Sequence, residues 1–168
     1  MRILGVDPSL SNTGLALLRY YDNKLDLLGA THLKTLPSSK KVKGETVKNS
    51  IQKRLYNFNI NLKEIFNNYL PDIVVIEEPV VFRNSKGVIN VSYLIGSIIT
   101  MVTDKVGFDN VILVNPSTVK KVITGKGNAD KDLIKQSVLN TYNFDLSGLD
   151  NDEIDGIAIA ITGFKQKI

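Results

Sequence analysis

At 168 residues, with 43% hydrophobic and 23% charged side chains, the chain has the length and composition of one soluble globular domain, which excludes global disorder and a two-lobed enzyme. The absence of cysteine and the presence of one histidine, His32, exclude disulfide scaffolds, zinc fingers, iron–sulfur sites, cysteine nucleophiles and multi-histidine metal centres. The net charge of +4 is uneven: from Lys34 to Lys63 eight basic residues face Glu45 alone, which reads either as a solvated helix face or as the footprint of a polyanion.

Arg2 to Asp7 is an apolar run closing on a carboxylate before Pro8, a buried strand with Asp7 at its C-terminal edge. Ser9 to Gly14 is a polar turn, and Leu15–Tyr20 and Leu25–Leu33 are further strands joined at Tyr21-Asp22-Asn23, so the chain opens with an antiparallel meander. After a loop at Pro37–Lys41, apolar residues recur in steps of three and four from Val47 to Tyr69, predicting a long amphipathic helix ended by Pro71. Ile73–Ile76 is a second apolar strand, again closing on carboxylates, Glu77 and Glu78. A polar loop from Phe82 to Gly87 leads into an apolar helix from about Val88 to Val106, and Val111–Val114 is a further buried strand. Pro116–Asn128 is a basic loop or short helix; Asp130 and Asp150 are placed to cap the last two helices. Strands alternating with helices imply parallel pairing in the second half, hence an α/β class with a mixed sheet, expected as a single domain over 1–168. Met1 to Asp7 lacks a signal peptide's apolar centre, and no apolar run approaches the roughly 20 residues that span a bilayer, so a soluble, cytoplasmic protein without membrane partners is expected.

In an open α/β sheet the functional crevice lies beyond the carboxyl ends of the strands, where Asp7 and Glu77 sit. Asp152 and Asp155, three apart on the last helix, share one face, while Ile154, Ile157, Ala158 and Ile161 supply its apolar stripe. Four converging carboxylates repel one another and call for a cation. All-oxygen donors suit Mg²⁺ or Mn²⁺, and two such ions roughly 4 Å apart support phosphodiester hydrolysis. Taken singly, Asp7 also reads as a turn residue, Glu77 as an exposed strand end and Asp152 as a helix-start residue. Glu78, Asp150 and Glu153 read as exposed or capping, and His32 as a strand-surface histidine.

Four segments in this order resemble the RuvC-type Holliday junction resolvases of the RNase H-like superfamily. They are Gly5-Val6-Asp7-Pro8-Ser9 with Thr13-Gly14, then Val75-Ile76-Glu77-Glu78, then Asn115–Lys121 running through Gly125–Lys131, and finally Asp152–Ala160. The resemblance implies an RNase H-like fold with a five-stranded mixed sheet, three antiparallel strands then parallel ones, flanked by helices. It further implies a homodimeric endonuclease that makes paired nicks in four-way DNA junctions during recombination and repair, with Mg²⁺ or Mn²⁺ held as two ions by Asp7, Glu77, Asp152 and Asp155. It assigns DNA contact to Lys120 and Lys131, with Lys121 and Lys126 assisting, and likens the helix near Val88 to Val106 to the family's dimer-forming helix. Arg83 and Lys86 are further candidates for phosphate contact, as is the Lys40–Lys43 loop. One departure stands out: the aromatic wedge many members carry three residues after the strand-end glutamate is here Val80, with Phe82 two further on. Rival readings are a relaxed nuclease for forks and other branched DNA, an RNase H-like nuclease acting on RNA, a branched-DNA-binding protein without activity, and an actin-like ATPase lobe. The last needs two lobes that 168 residues hardly supply. Such a chain fits a bacterium or a phage.

Overall fold

Each apolar run becomes a strand whose two faces alternate. A computed structural model describes residues 1–42, 45–79 and 86–167. In chain order it contains β1 (Arg2–Asp7), β2 (Thr13–Tyr21), β3 (Lys24–Leu33), β4 (Ser39–Val42), β5 (Glu45–Lys48), α1 (Ile51–Tyr69), β6 (Ile73–Glu77), α2 (Lys86–Val106), a 3-10 turn at Phe108–Asn110, β7 (Val111–Val114), α3 (Pro116–Thr124), α4 (Lys131–Tyr142) and α5 (Asn151–Lys167). The main sheet runs β3-β2-β1-β6-β7, antiparallel through β3-β2-β1 and parallel through β1-β6-β7. The expected five-stranded mixed sheet is therefore present, and Asp22 and Asn23, both at positive φ, make the two-residue turn between β2 and β3.

Leu4, Val6, Leu15, Val74 and Ile76 pack on one face against Phe58, Leu62 and Phe66 of α1 and Leu94, Ile98 and Val102 of α2. Ile3, Ala16, Leu18, Ile73 and Val75 pack on the other against Ile157, Ala158 and Ile161 of α5, with Val119 of α3 and Ile134 and Val138 of α4. Alternation then fixes the acids. Asp7 shares parity with Ile3 and Gly5, and Glu77 with Ile73 and Val75, so both carboxylates project on the α5 side. Helix α5 lies directly on the strand backbone: a Cβ at Gly5 would stand 2.0 Å from the Gly156 carbonyl oxygen, and one at Gly14 would stand 1.9 Å from that of Asp152.

Three expectations need correction. The helix predicted from Val47 begins at Ile51, because Ser39–Val42 and Glu45–Lys48, read as loop and helix start, pair as a separate antiparallel hairpin. Ser50 then caps α1, its hydroxyl accepting from the Lys53 N–H, a stop signal for the hairpin and a start for the helix. The predicted loop to Gly87 closes early, since Lys86 and Gly87 are already helical; Arg83, Val80 and Phe82 lie outside the described residues. Finally, α2, with 21 residues, is long and apolar enough to cross a membrane by length and composition alone. Its Leu94, Ile98 and Val102 are instead fully buried in the core beside α1.

Candidate active site

The parallel register Val6↔Ile76 brings Asp7 and Glu77 to the same level at the C-terminal edge of neighbouring strands. Helix α5 starts against that edge through a reciprocal capping box: Asp150 Oδ1 accepts from the Glu153 N–H at 3.0 Å, and Glu153 Oε2 accepts from the Asp150 N–H at 2.8 Å. That start carries Asp152 and Asp155 to Asp7, so that one carboxylate oxygen from each of the three lies within 4.8 Å of the others. Glu77 stands outside this trio but faces the same cavity of about 250 Å³, which is also lined by Asp7, Asp155, Pro116, Val119, Lys120, Lys131 and Ile134. A larger cavity, about 840 Å³, opens by the β2–β3 hairpin among Arg19, Asp26, Tyr142 and Phe164, away from the acids.

Burial and mutual repulsion disfavour the ionised carboxylates. Asp7 is pushed up to about 6, first by burial and then by the charges of Asp155 and Asp152. Glu77 is pushed up to about 7, again first by burial, then by Asp7 and Asp155. Asp155 is raised by burial despite its partner Lys131, whose Nζ donates to Asp155 Oδ2 at 2.7 Å; that bond in turn raises Lys131. Two lysines do not neutralise four acids, and the donor set is carboxylate throughout. Such a site fits a hard divalent cation, the missing positive charge.

Of the expected DNA-contacting residues, the structure brings Lys120 and Lys131 into the cavity and leaves Lys121 and Lys126 exposed outside its lining. Lys86 stands at the exposed start of α2, in a different cavity. Glu78 is exposed, and Asp150 and Glu153 cap as expected. Two residues escaped sequence reasoning. Asn12, in the β1–β2 turn, donates its side-chain amide to Asp152 Oδ2, and its own Oδ1 is buried with no partner among the described residues. His32, on β3, turns Nδ1 toward Asp150 Oδ2 at 3.3 Å and Glu153 Oε1 at 3.9 Å, the two oxygens that the capping box leaves over. The histidine is thus close to the site in space although distant in sequence. The Asn-Thr-Gly run beside Asp7 was the available signal for Asn12; for His32 there was none.

Residues 3–163 match the family described as "Crossover junction endodeoxyribonuclease RuvC". The chain belongs to this family. The RuvC of Rickettsia typhi is 31% identical over 169 residues, covering 99% of both chains, and that of Caldanaerobacter subterraneus is 32% identical over 162 residues, covering 96% of this chain and 90% of its own. Among solved structures, Thermus thermophilus RuvC superposes with a TM-score of 0.78 at 21% identity, covering 99% of this chain and 96% of that one. The same RuvC in complex with Holliday junction substrate also gives 0.78, at 19% identity. The RuvC fold, including its antiparallel-then-parallel sheet, is accordingly the fold of this chain.

Proposed function

We propose that this chain resolves four-way DNA junctions by metal-dependent hydrolysis of phosphodiester bonds, working as a homodimer whose single nuclease domain spans 1–168. The observation that carries this reading is the convergence of Asp7, Asp152 and Asp155, with Glu77 on the adjoining strand, at the edge of a sheet built as in RuvC. Asp7, Glu77, Asp152 and Asp155 would hold Mg²⁺ or Mn²⁺, two ions between them. Metal held by these carboxylates would supply an acidified water and charge stabilisation at the leaving oxygen.

The chain's own residues do the rest. Asp7 and Glu77 fix one side of the cavity on strand ends, where the backbone ladder allows little movement. Asp152 and Asp155 close the other side from the first turn of α5. Lys120 and Lys131 present ammonium groups on the wall formed by α3 and α4, where they draw in a phosphate and balance charge as the P–O bond breaks. Asn12 keeps Asp152 turned into the site by its amide hydrogen bond. A cytoplasmic setting, in a bacterium or on behalf of a phage, suits a DNA substrate. The basic cavity edge and the carboxylate set would serve forks as well as four-way junctions, so junction selectivity rests on the dimer presenting two sites at once.

The test is cleavage of labelled four-way junction, fork and linear duplex with Mg²⁺, Mn²⁺ or chelator, by the native chain and by Asp7→Asn. Paired nicks confined to the junction, dependent on the cation and lost in Asp7→Asn with junction binding retained, are the expected result. Cleavage by Asp7→Asn would remove the acids from the mechanism, and binding without any cut would make the chain a DNA-binding protein.

A further inference from the structure

On the α1 side of the catalytic edge, two cavities run into one another. One, about 490 Å³, is lined by Leu10, Ser11, Lys34, Thr35, Pro37, Ser38 and Arg54. The next, about 520 Å³, is lined by Ser38, Lys48, Asn49, Ser50, Ile51, Gln52, Arg54, Lys86 and Asn90. Ser38 and Arg54 belong to both, so the two form one groove. It holds four cations, Lys34, Arg54, Lys48 and Lys86, and no acid among its lining residues.

The cations divide the work. Arg54 spends its guanidinium on the fold, donating to the carbonyls of Leu36 and Leu10 at 2.7 Å each and to Thr35 Oγ1 at 2.9 Å, and so makes a fixed positive floor. Lys34, Lys48 and Lys86 are exposed, and none of them makes an ion pair among the described residues. Helix α1 starts at the groove without an acid in its first turn to offset the positive end of its dipole. A compact anion would need convergent, buried donors; mobile ammonium groups spaced along an open groove suit a polymer with repeating negative charges.

Position names the polymer. Leu10 and Ser11 lie in the turn that directly follows β1, only three and four residues beyond Asp7, so the groove begins beside the acids. It leaves them on the α1–α2 side, opposite the wall that carries Lys120 and Lys131. A duplex whose cut strand enters the acidic cavity therefore carries its neighbouring phosphates over the groove. We propose that this groove binds the phosphate backbone of the duplex arm flanking the cut. The proposal rests on the junction-nuclease reading above and adds to it a second anchoring surface, which holds an arm and leaves the chemistry alone.

The experiment compares the native chain with the triple variant Lys34→Gln/Lys48→Gln/Lys86→Gln, measuring junction binding in chelator across a salt series and single-turnover cleavage at saturating protein. Each lost phosphate contact removes about 0.9 from the log–log salt slope, so the slope should fall by up to about three units. Binding at fixed salt should weaken at least about tenfold, with saturated cleavage unchanged. A control triple on the far edge, Lys24→Gln/Lys105→Gln/Lys165→Gln, removes the same charge and should leave the slope nearly intact, while Lys→Arg at the three groove positions should preserve it. Shortening the junction arms should reproduce the loss in the native chain and have no further effect on the groove variant. An unchanged slope in a groove variant that melts like the native chain overturns the proposal, as does an equal loss in the control triple. Failure of the nuclease reading is distinct: the native chain itself would neither bind nor cut the junction.

Discussion

Asp7 and Glu77 make the site costly when no cation neutralises it. Both hold their proton to a pH well above the ordinary carboxylate range, so between about pH 4 and pH 7 the native state binds more protons than the unfolded chain. Stability from these two groups is therefore present at acid pH and falls as the pH rises through that window. Asp7→Asn should accordingly stabilise the metal-free protein above pH 7, by on the order of 2 kcal/mol, and do little at pH 4; urea unfolding in chelator at both pH values measures it. By the same linkage, cation binding near neutral pH must expel protons, so affinity for Mg²⁺ should drop steeply below pH 7 and calorimetry in buffers of different ionisation enthalpy should register proton release. Asn12→Ala removes the donor on Asp152, and the Mg²⁺ concentration for half-maximal cleavage should rise roughly tenfold while junction binding in chelator stays constant. At this scale the sequence spoke clearly where local pattern marked the acids that the fold brings together. A hydrophobic strand ending in an acid, twice, marked Asp7 and Glu77, and the three-residue spacing marked Asp152 and Asp155. Asn12 and His32 were silent because their partners, 140 and about 120 residues away, become neighbours only when α5 lands on β1, β2 and β3.

Among the elements, α5 sets the geometry and α3 and α4 set the charge. Gly14→Ala would drive a methyl group into the Asp152 carbonyl, so the first turn of α5 must lift from β2. Cleavage should fall by at least about tenfold while α1 and α2 stay packed; comparing cleavage with hydrogen exchange resolved by element separates these outcomes. Lys120→Gln and Lys131→Gln should each flatten the salt dependence of binding by about one unit and also slow saturated cleavage, a combination that the groove lysines should not produce. Helix α3 was only half legible: Pro116–Asn128 read as loop or short helix, yet Asn115 at the cap, accepting from Ser117 N–H, Pro116 in the first turn and Gly125 at φ 79 are a full set of end signals. The β4–β5 hairpin was invisible because it has no apolar alternation. Its Val47 happened to fall in step with the apolar positions of α1, lengthening the predicted helix by a turn.

For the whole molecule, the two faces of the sheet divide labour. The α5 side carries the acidic cluster, and the α1–α2 side carries the groove together with Ile89 and Tyr93, one turn apart on α2, and Tyr56 and Ile60, one turn apart on α1, which remain 45%, 55%, 70% and 50% exposed. Docking of a second copy on the exposed residues of α2 predicts that Ile89→Asp/Tyr93→Asp gives a monomer by analytical ultracentrifugation that still nicks junctions but no longer makes the two nicks together. The glycine contacts described above have a mechanical consequence. Because α5 meets β1 and β2 backbone to backbone at Gly5 and Gly14, the main-chain spacing between Asp7 and the first turn of α5 is set without an intervening side chain. A catalytic centre held at that spacing would leave most of the adjustment to the DNA, and its discrimination among branched substrates should then follow how cheaply each of them deforms.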